Sequence, residues 1–202
     1  MTMRIVPAIT GLAMLLPAAA WAAWTPGAPA LANLAQGKPW WEVQADPDGA
    51  GALIHGVIDI DVPPAQVLAN VLDCGQSMKI TPILKSCKVT QRDPKGRWIV
   101  VEQMSQAGPL PKIHTVLKYD VDAPRGMTIS RESGDMRIFE GAWVMEPLAN
   151  GTRTRAVFWN RMSPGLPIPG PLFRMVVRSE APKALVGLKT VSEAAAKQKA
   201  KP

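Results

Sequence analysis

The stretch IDIDVPPAQVLANVLD, residues 58–73, changes its periodicity at a double proline. Apolar and acidic residues alternate from Ile58 to Val62, which is the pattern of a strand with one buried face. Pro63 cannot donate a ladder hydrogen bond, so the strand ends there, whereas Pro64 suits the first turn of a helix. Apolar residues then recur at helical spacing, at positions 67, 68, 71 and 72. The stretch therefore predicts a strand that passes directly into a short amphipathic helix.

Most of the chain after residue 40 has the pattern of short strands separated by turns. The turns are rich in Pro, Gly and Asp, and the pair Asn150-Gly151 is typical of a hairpin. A helical pattern then runs from Leu172 to about Ala196, where Pro182 is expected to kink or split the helix and Ser179 to cap its second half. Strand patterns lie at 53–62, 97–105, 113–121, 127–132, 137–146 and 152–162, and weaker ones at 40–44 and 86–91, so we expect about six to seven antiparallel strands.

The N-terminal residues have the composition of an export signal. Arg4 precedes an apolar run, and Ala20-Trp21-Ala22 provides the small residues of a cleavage site. We predict a signal peptide at 1–22 and a periplasmic or secreted protein, with a retained membrane anchor as the alternative. In this interpretation, 23–39 is an extended lead-in, 40–197 is one domain and 198–202 is a disordered basic tail.

Export makes the two cysteines interpretable. Cys74 and Cys87 are expected to form a disulfide in an oxidising compartment, and two buried thiols are the alternative. The formal net charge of +7 fits two interpretations, weak attraction to an anionic membrane surface and a role in solubility alone. We expect no nucleic-acid partner for an exported protein.

The sequence lacks the compact motifs of common enzyme classes. There is no GxSxG, HExxH, GxxxxGK[ST] or dinucleotide fingerprint. With only two histidines and no cysteine cluster, we expect neither a metal nor a cofactor. Asp59 and Asp61 share the wet face of one strand, where solvated charges are a better interpretation than a calcium site.

Glu102 and Tyr119 are the candidate catalytic residues. If Trp98, Val100 and Met104 face the interior, Glu102 is a buried carboxyl group suited to general acid or base chemistry. In the other register Ile99 and Val101 face inward and Glu102 lies in water. The strand pattern leaves both registers open. Tyr119 is suited to orienting a ligand carbonyl or to a structural hydrogen bond with the backbone.

The order of strand, short helix, antiparallel strands and long C-terminal helix resembles the START-like superfamily, also called SRPBCC or polyketide cyclase/dehydrase and lipid-transport proteins. The matching residues are 58–67 at the strand-to-helix corner, Gly141-Ala142-Trp143, Glu146-Pro147, Gly151-Thr152, Ala184-Leu185 and Leu188-Lys189. The resemblance covers roughly 40–197 and implies an α+β helix-grip fold, in which a curved sheet wraps around the last helix and an apolar cavity lies between them.

What the resemblance implies for function is binding of an apolar small molecule such as a lipid, an isoprenoid or a polyketide-like compound. We expect the ligand-binding wall to consist of Tyr119, Trp143, Met145, Phe158, Met162, Leu172, Met175 and Val176. An exported binding or transport protein is the first hypothesis. A cyclase/dehydratase-type enzyme using Glu102 and Tyr119, and an interaction protein with a solid core, are the alternatives.

Overall fold

The computed structural model describes residues 24–47, 49–108 and 110–199 of the 202-residue chain. The predicted signal peptide at 1–22 and the last three residues of the predicted tail lie outside the described residues. The elements are α1 (Ala28–Ala35), β1 (Trp40–Ala45), β2 (Ala52–Ile60), α2 (Pro64–Leu72), α3 (Cys74–Ile80), β3 (Leu84–Arg92), β4 (Trp98–Ser105), β5 (Ile113–Asp122), β6 (Gly126–Gly134), β7 (Met136–Leu148), β8 (Arg153–Pro164) and α4 (Gly170–Lys199).

The strands form one antiparallel sheet in the order β1-β2-β8-β7-β6-β5-β4-β3. The α+β class and the helix-grip fold are confirmed, but the sheet has eight strands rather than six to seven. Its edges are β1 and β3. An edge strand pairs on one side only and is more exposed, so its apolar residues alternate less clearly. In β3, Leu84 is the one buried residue.

The predicted strand-to-helix corner is confirmed. Ile58, Ile60 and Val62 are buried in the core, and α2 begins at Pro64. The carbonyl oxygen of Val62 accepts a hydrogen bond of 2.6 Å from the Thr154 hydroxyl, which ties the corner to β8. A second short helix, α3, then follows, capped by the Asp73 carboxylate, which accepts from the Gln76 N–H.

Helix α4 runs unbroken through Pro182, so the predicted split there is wrong and Ser179 lies within the helix rather than at a cap. Proline removes one backbone hydrogen bond, but Ala181 and Leu185 beside it are buried in the core, and this packing holds the helix together. The helix ends at Lys199, so residues 198 and 199 are helical rather than part of a disordered tail. No helix in the described part of the chain has the length and hydropathy needed to span a membrane.

Helix α4 lies along β2 on what we call the inner face of the sheet. The Arg174 guanidinium donates to the Gly51 carbonyl at 3.3 Å, and the Lys189 ammonium donates to the Asp59 carbonyl at 2.9 Å. On the other side of α4, the Ile80 carbonyl of α3 approaches Gly187 so closely that a Cβ there would lie 2.3 Å from its oxygen. The helix is therefore held between β2 and α3.

The expectation of an extended lead-in at 23–39 is wrong for residues 28–35, which form α1. Pro29 lies in the first turn, and Ala30 and Leu34, four residues apart, are buried against Val57 and Val157. These two valines are on the outer face of the sheet, opposite α4. A helix of eight residues is marginal on its own, so this packing is what stabilises it.

Candidate functional site

Four of the predicted wall residues lie on the inner face of β7 and β8. Met145 and Phe158 are buried, whereas Trp143 and Met162 are only partly buried against the core. The rings of Trp143 and Phe158 stack with their centroids 4.9 Å apart. This pair faces α4, because Gly56 on β2 leaves room for the Phe158 ring beneath Leu185.

The helix side of the predicted wall needs one correction. Leu172 and Val176 are partly buried against the core, but Met175 is 60% exposed and does not line the interior. The residues that sequence reasoning missed are Phe173 and Val177, both buried. Their spacing identifies the buried face of α4, because Phe173, Val177, Ala181 and Leu185 recur every four residues and are all buried.

Tyr119 lies on the inner face of β5 and is buried. Its hydroxyl oxygen accepts a hydrogen bond of 3.1 Å from the side-chain amide of Gln103. Burial raises the pKa of Tyr119 to about 12, and the hydrogen bond from Gln103 opposes this only in part. The hydroxyl therefore keeps its proton at neutral pH and can act as a donor but not as a base.

Glu102 does not share a face with Tyr119. The structure selects the register in which Ile99 and Val101 are buried in the core, and this places Glu102 on the outer face. The Glu102 side chain is 48% exposed, and its carboxylate lies 2.9 Å from the ring of His114 on β5. The two candidate catalytic residues are thus on opposite sides of the sheet and cannot act on one substrate.

Asn160 is an inner-face residue that sequence reasoning missed. It lies between Phe158 and Met162 on β8 and pairs with Ile54 on β2 and Gly141 on β7. Its side-chain oxygen is buried without a hydrogen-bond partner among the described residues. The sequence does carry a signal, because a polar residue at an apolar position of an alternating strand is the exception to the pattern.

The inner face carries partly buried apolar side chains near the start of α4. Phe139, Met162, Leu166 and Leu172 are all only partly buried there. The segment 164–170 joins β8 to α4 at this end. The Gly165 N–H donates to the Asp135 carbonyl at 2.8 Å, which ties the segment to the end of the sheet.

The predicted disulfide is confirmed. Cys74 at the start of α3 is bonded to Cys87 in β3, with Cα atoms 5.2 Å apart. The amide nitrogen of Gln103, which also donates to Tyr119, lies 3.9 Å from the sulfur of Cys87. The disulfide therefore fixes α3 to the sheet edge beside the Tyr119 hydroxyl.

An open groove of about 460 Å³ lies between α3 and the second half of α4. It is lined mainly by apolar atoms, including those of Val186 and Val191, with Lys79 and Lys183 beside them. A second open groove, of about 450 Å³, lies between α2 and the end of α4. Neither groove is lined by the predicted wall residues, so both are separate from the inner face.

The sequence matches a family model described as polyketide cyclase / dehydrase and lipid transport over residues 60–189, more than half of the chain. No curated protein matches the sequence significantly.

Solved structures with a similar fold come from both lipid-transfer proteins and cyclases. A STAR-related lipid transfer protein from Xanthomonas axonopodis is 15% identical, with a TM-score of 0.64 over 77% of this chain and 93% of that one. The human StarD13 lipid transfer and protein localization domain is 13% identical, with a TM-score of 0.62 over 76% and 84%. The Zhui aromatase/cyclase from Streptomyces sp. R1128 is 13% identical, with a TM-score of 0.58 over 74% and 95%. At these identities the likeness shows the fold alone, and it agrees with the match of the family model. The chain therefore belongs to the polyketide cyclase / dehydrase and lipid transport family of the START-like superfamily.

Proposed function

We propose that this protein is an exported carrier that holds an apolar small molecule, a lipid, isoprenoid or polyketide-like compound, between the inner face of the sheet and α4. The observation that carries the proposal is the partial exposure of inner-face apolar side chains near the start of α4, chiefly Phe139, Met162 and Leu172. A ligand lying there removes this surface, and its own, from water. Burial of about 300 Å² of ligand surface is worth about 7 kcal/mol before ordering costs.

Carriage is favoured over catalysis by the chemistry of the inner face. The inward positions of the described strands β4, β5, β7 and β8 carry no acidic side chain, since Glu102 lies outside. Tyr119 keeps its proton, because burial raises its pKa to about 12. A positioned general base speeds the proton transfers of cyclisation or dehydration, and these strands place no carboxylate on the inner face to serve as one.

Export is supported by the signal-like composition of residues 1–22 and by the disulfide between Cys74 and Cys87, a bond that persists in oxidising compartments. The net charge of +7 supports weak attraction to anionic membranes, where an apolar cargo is collected or delivered. The segment 164–170 lies beside the partly buried apolar side chains at the start of α4, and this position suits it to gate ligand exchange.

Two neighbouring residues of α4 provide a matched test. Val176 is partly buried against the core, whereas Met175 is 60% exposed. Each is replaced by glutamine, and binding of the neutral fluorescent probe N-phenyl-1-naphthylamine is titrated. Val176→Gln puts an amide into the apolar site and is expected to weaken binding by about tenfold. Met175→Gln is expected to bind like the unmodified protein.

Circular dichroism and thermal melting establish that both variants are folded. Equal probe affinity of the Val176→Gln and unmodified proteins would place the probe elsewhere, and the absence of saturable binding by the unmodified protein would remove the carrier function altogether.

A further inference from the structure

Asn160 is half-buried as a residue, but its side-chain oxygen is shielded from solvent and, unlike the polar groups of the buried residues Asn70, Tyr119 and Thr154, lacks a partner. The Asn70 amide donates to the Ser192 hydroxyl at 3.1 Å, and the Tyr119 hydroxyl accepts from Gln103 at 3.1 Å. The hydroxyl of Thr154 donates to a backbone carbonyl. The side-chain oxygen of Asn160 is equally inaccessible to solvent, yet no group of the described residues donates to it. Buried acceptors in folded proteins are almost always paired, so this one requires an explanation.

The Asn160 amide lies where the side chain of residue 141 would be if that residue were not glycine. A Cβ built on Gly141, the facing residue of β7, would lie 2.0 Å from the Asn160 side-chain oxygen. It would also lie 2.4 Å from the backbone carbonyl of Trp159. Any residue other than glycine at 141 would therefore displace the amide. The amide rests over Gly141 in the middle of the inner face.

The sheet neighbours of this amide are apolar, and the charged group on the same cross-strand row is the Arg178 guanidinium, which donates to the Val43 carbonyl two strands away. Asn160 has Phe158 and Met162 as its inner-face neighbours along β8, and Ile54 beside it on β2. Beyond Gly141, Ile129 on β6 continues the same cross-strand row. A cationic donor brought to the amide oxygen here would lose its hydration without a negative charge in return. A neutral donor loses far less hydration free energy on entering this site.

Two other buried atoms of the described residues lack hydrogen-bond partners, but neither bears on this site. The Nδ1 atom of His55 is on the outer face, with a Glu42 carboxylate oxygen at 3.5 Å. The side-chain nitrogen of Gln66 is on α2. Asn160 is thus the inner-face residue with an unpaired acceptor among the residues that the structure describes.

We propose that Asn160 is the specificity-determining residue of the binding site and selects apolar molecules that carry a neutral hydroxyl group. In the complex the Asn160 amide turns away from Gly141, so that the ligand O–H donates to its side-chain oxygen, and the rest of the ligand lies on the apolar inner face beside Phe158 and Met162. The inference rests on the proposed function, and it narrows the ligand from any apolar compound to alcohols of low polarity, such as long-chain or polycyclic alcohols.

The test compares two probes that differ in one hydrogen-bond donor. 1-Decanol and decyl methyl ether are each used to displace N-phenyl-1-naphthylamine from the full-length processed protein. The ether keeps the oxygen and the chain but cannot donate. The alcohol is expected to displace the probe at a concentration about tenfold lower, the effect of one hydrogen bond in a dry site.

The same titrations are repeated with Asn160→Leu, which removes the acceptor and nearly keeps the side-chain shape. The alcohol preference is expected to fall at least fivefold. The ratio of the displacing concentrations of the ether and the alcohol is compared between proteins, and this comparison cancels the difference in hydrophobicity between the two compounds. The control is Asn33→Leu, the same change in α1 on the outer face, which is expected to keep the preference. If Asn160→Leu does not fold, Asn160→Ala replaces it.

The outcomes separate this inference from the proposed function. If the naphthylamine binds but the unmodified protein does not prefer the alcohol, or if the preference survives in the Asn160 variants, the selection of hydroxyl groups is overturned while the carrier function stands. If the naphthylamine does not bind at all, both fail. An alcohol preference that is lost only in the Asn160 variants supports the inference.

Discussion

Replacement of Gly56 by alanine should destabilise the protein, because the inner face of β2 has no room for one more methyl group. A Cβ at position 56 would lie 2.1 Å from Cε1 and 2.7 Å from Cδ1 of Phe158, and 3.2 Å from Cδ1 of Leu185. The Phe158 ring cannot move freely, since it stacks on Trp143 with centroids 4.9 Å apart and is covered by α4. The added methyl must therefore force side chains or backbone out of place.

Such overpacking costs about 1–3 kcal/mol. Alanine recovers about 0.4–1 kcal/mol by restricting the unfolded chain. The net loss of about 1–2 kcal/mol corresponds to a fall in melting temperature of about 2–8 °C for a protein of this size. Thermal and urea unfolding followed by circular dichroism measure it. Gly27→Ala is the control, because the nearest atom to its Cβ is Cδ of Pro29 at an ordinary 3.8 Å.

A double-mutant cycle identifies the cause. Phe158→Leu shortens the side chain that the new methyl meets, so Gly56→Ala combined with Phe158→Leu should be less destabilised than the sum of the single changes, by about 1 kcal/mol. A Gly56→Ala protein that melts within 1 °C of the unmodified protein, or additive effects in the cycle, would refute the packing of Phe158 over Gly56.

Three further predictions concern the outer face and the disulfide. Glu102→Gln should leave binding of N-phenyl-1-naphthylamine unchanged, because the carboxylate pairs with His114 outside the site; a tenfold loss of affinity would contradict this placement. Burial lowers the pKa of His55 below its ordinary value of 6.5 and Glu42 opposes this only in part, so the unfolded chain binds the proton first and stability should fall as the pH drops below about 6.5. Melting temperatures between pH 7.5 and 5 check this, and His55→Phe, which cannot titrate, should reduce the slope. Replacing Cys74 and Cys87 with serine should lower stability by about 3 kcal/mol, seen as a lower urea midpoint, and an unchanged midpoint would mean that the cross-link contributes nothing.

The sequence was sufficient for the fold where local chemistry and tertiary packing agree. The proline corner at 62–64 changes both the hydrogen bonding and the period of the chain, so the strand and the helix on either side could be predicted from it. The pairing of Cys74 with Cys87 followed from the expected compartment. Both are decided by a few residues close together in sequence.

The wrong predictions concern helices that are stabilised by contacts with residues distant in sequence. Helix α1 is stabilised by Val57 and Val157, which no local pattern around Ala30 and Leu34 reveals. Pro182 does not split α4, because buried neighbours offset one missing hydrogen bond. In each case a weak local preference is overridden by contacts made across the fold.

The site could be predicted only in part for a similar reason. Alternation along β7 and β8 placed Trp143 and Phe158 on one face, where the structure has them. The register of β4 stayed open, because Val100 and Val101 are both apolar and both buried, so the pattern does not separate the two faces of that strand. The alternation of β8 marks Asn160 as a polar residue at an inner-face position, but only the structure reveals that its side-chain oxygen lacks a partner.

The carrier function is tested most directly by identifying what the protein holds when it is isolated. The protein is produced with its own N-terminal segment in an exporting host, purified without detergent and denatured in organic solvent, and the released small molecules are identified by mass spectrometry. We expect an apolar compound with a hydroxyl group, close to one molecule per chain, and less of it from Val176→Gln than from Met175→Gln. A folded, disulfide-bonded protein that releases no such compound, and that takes up none from a lipid extract of the host, would contradict the account.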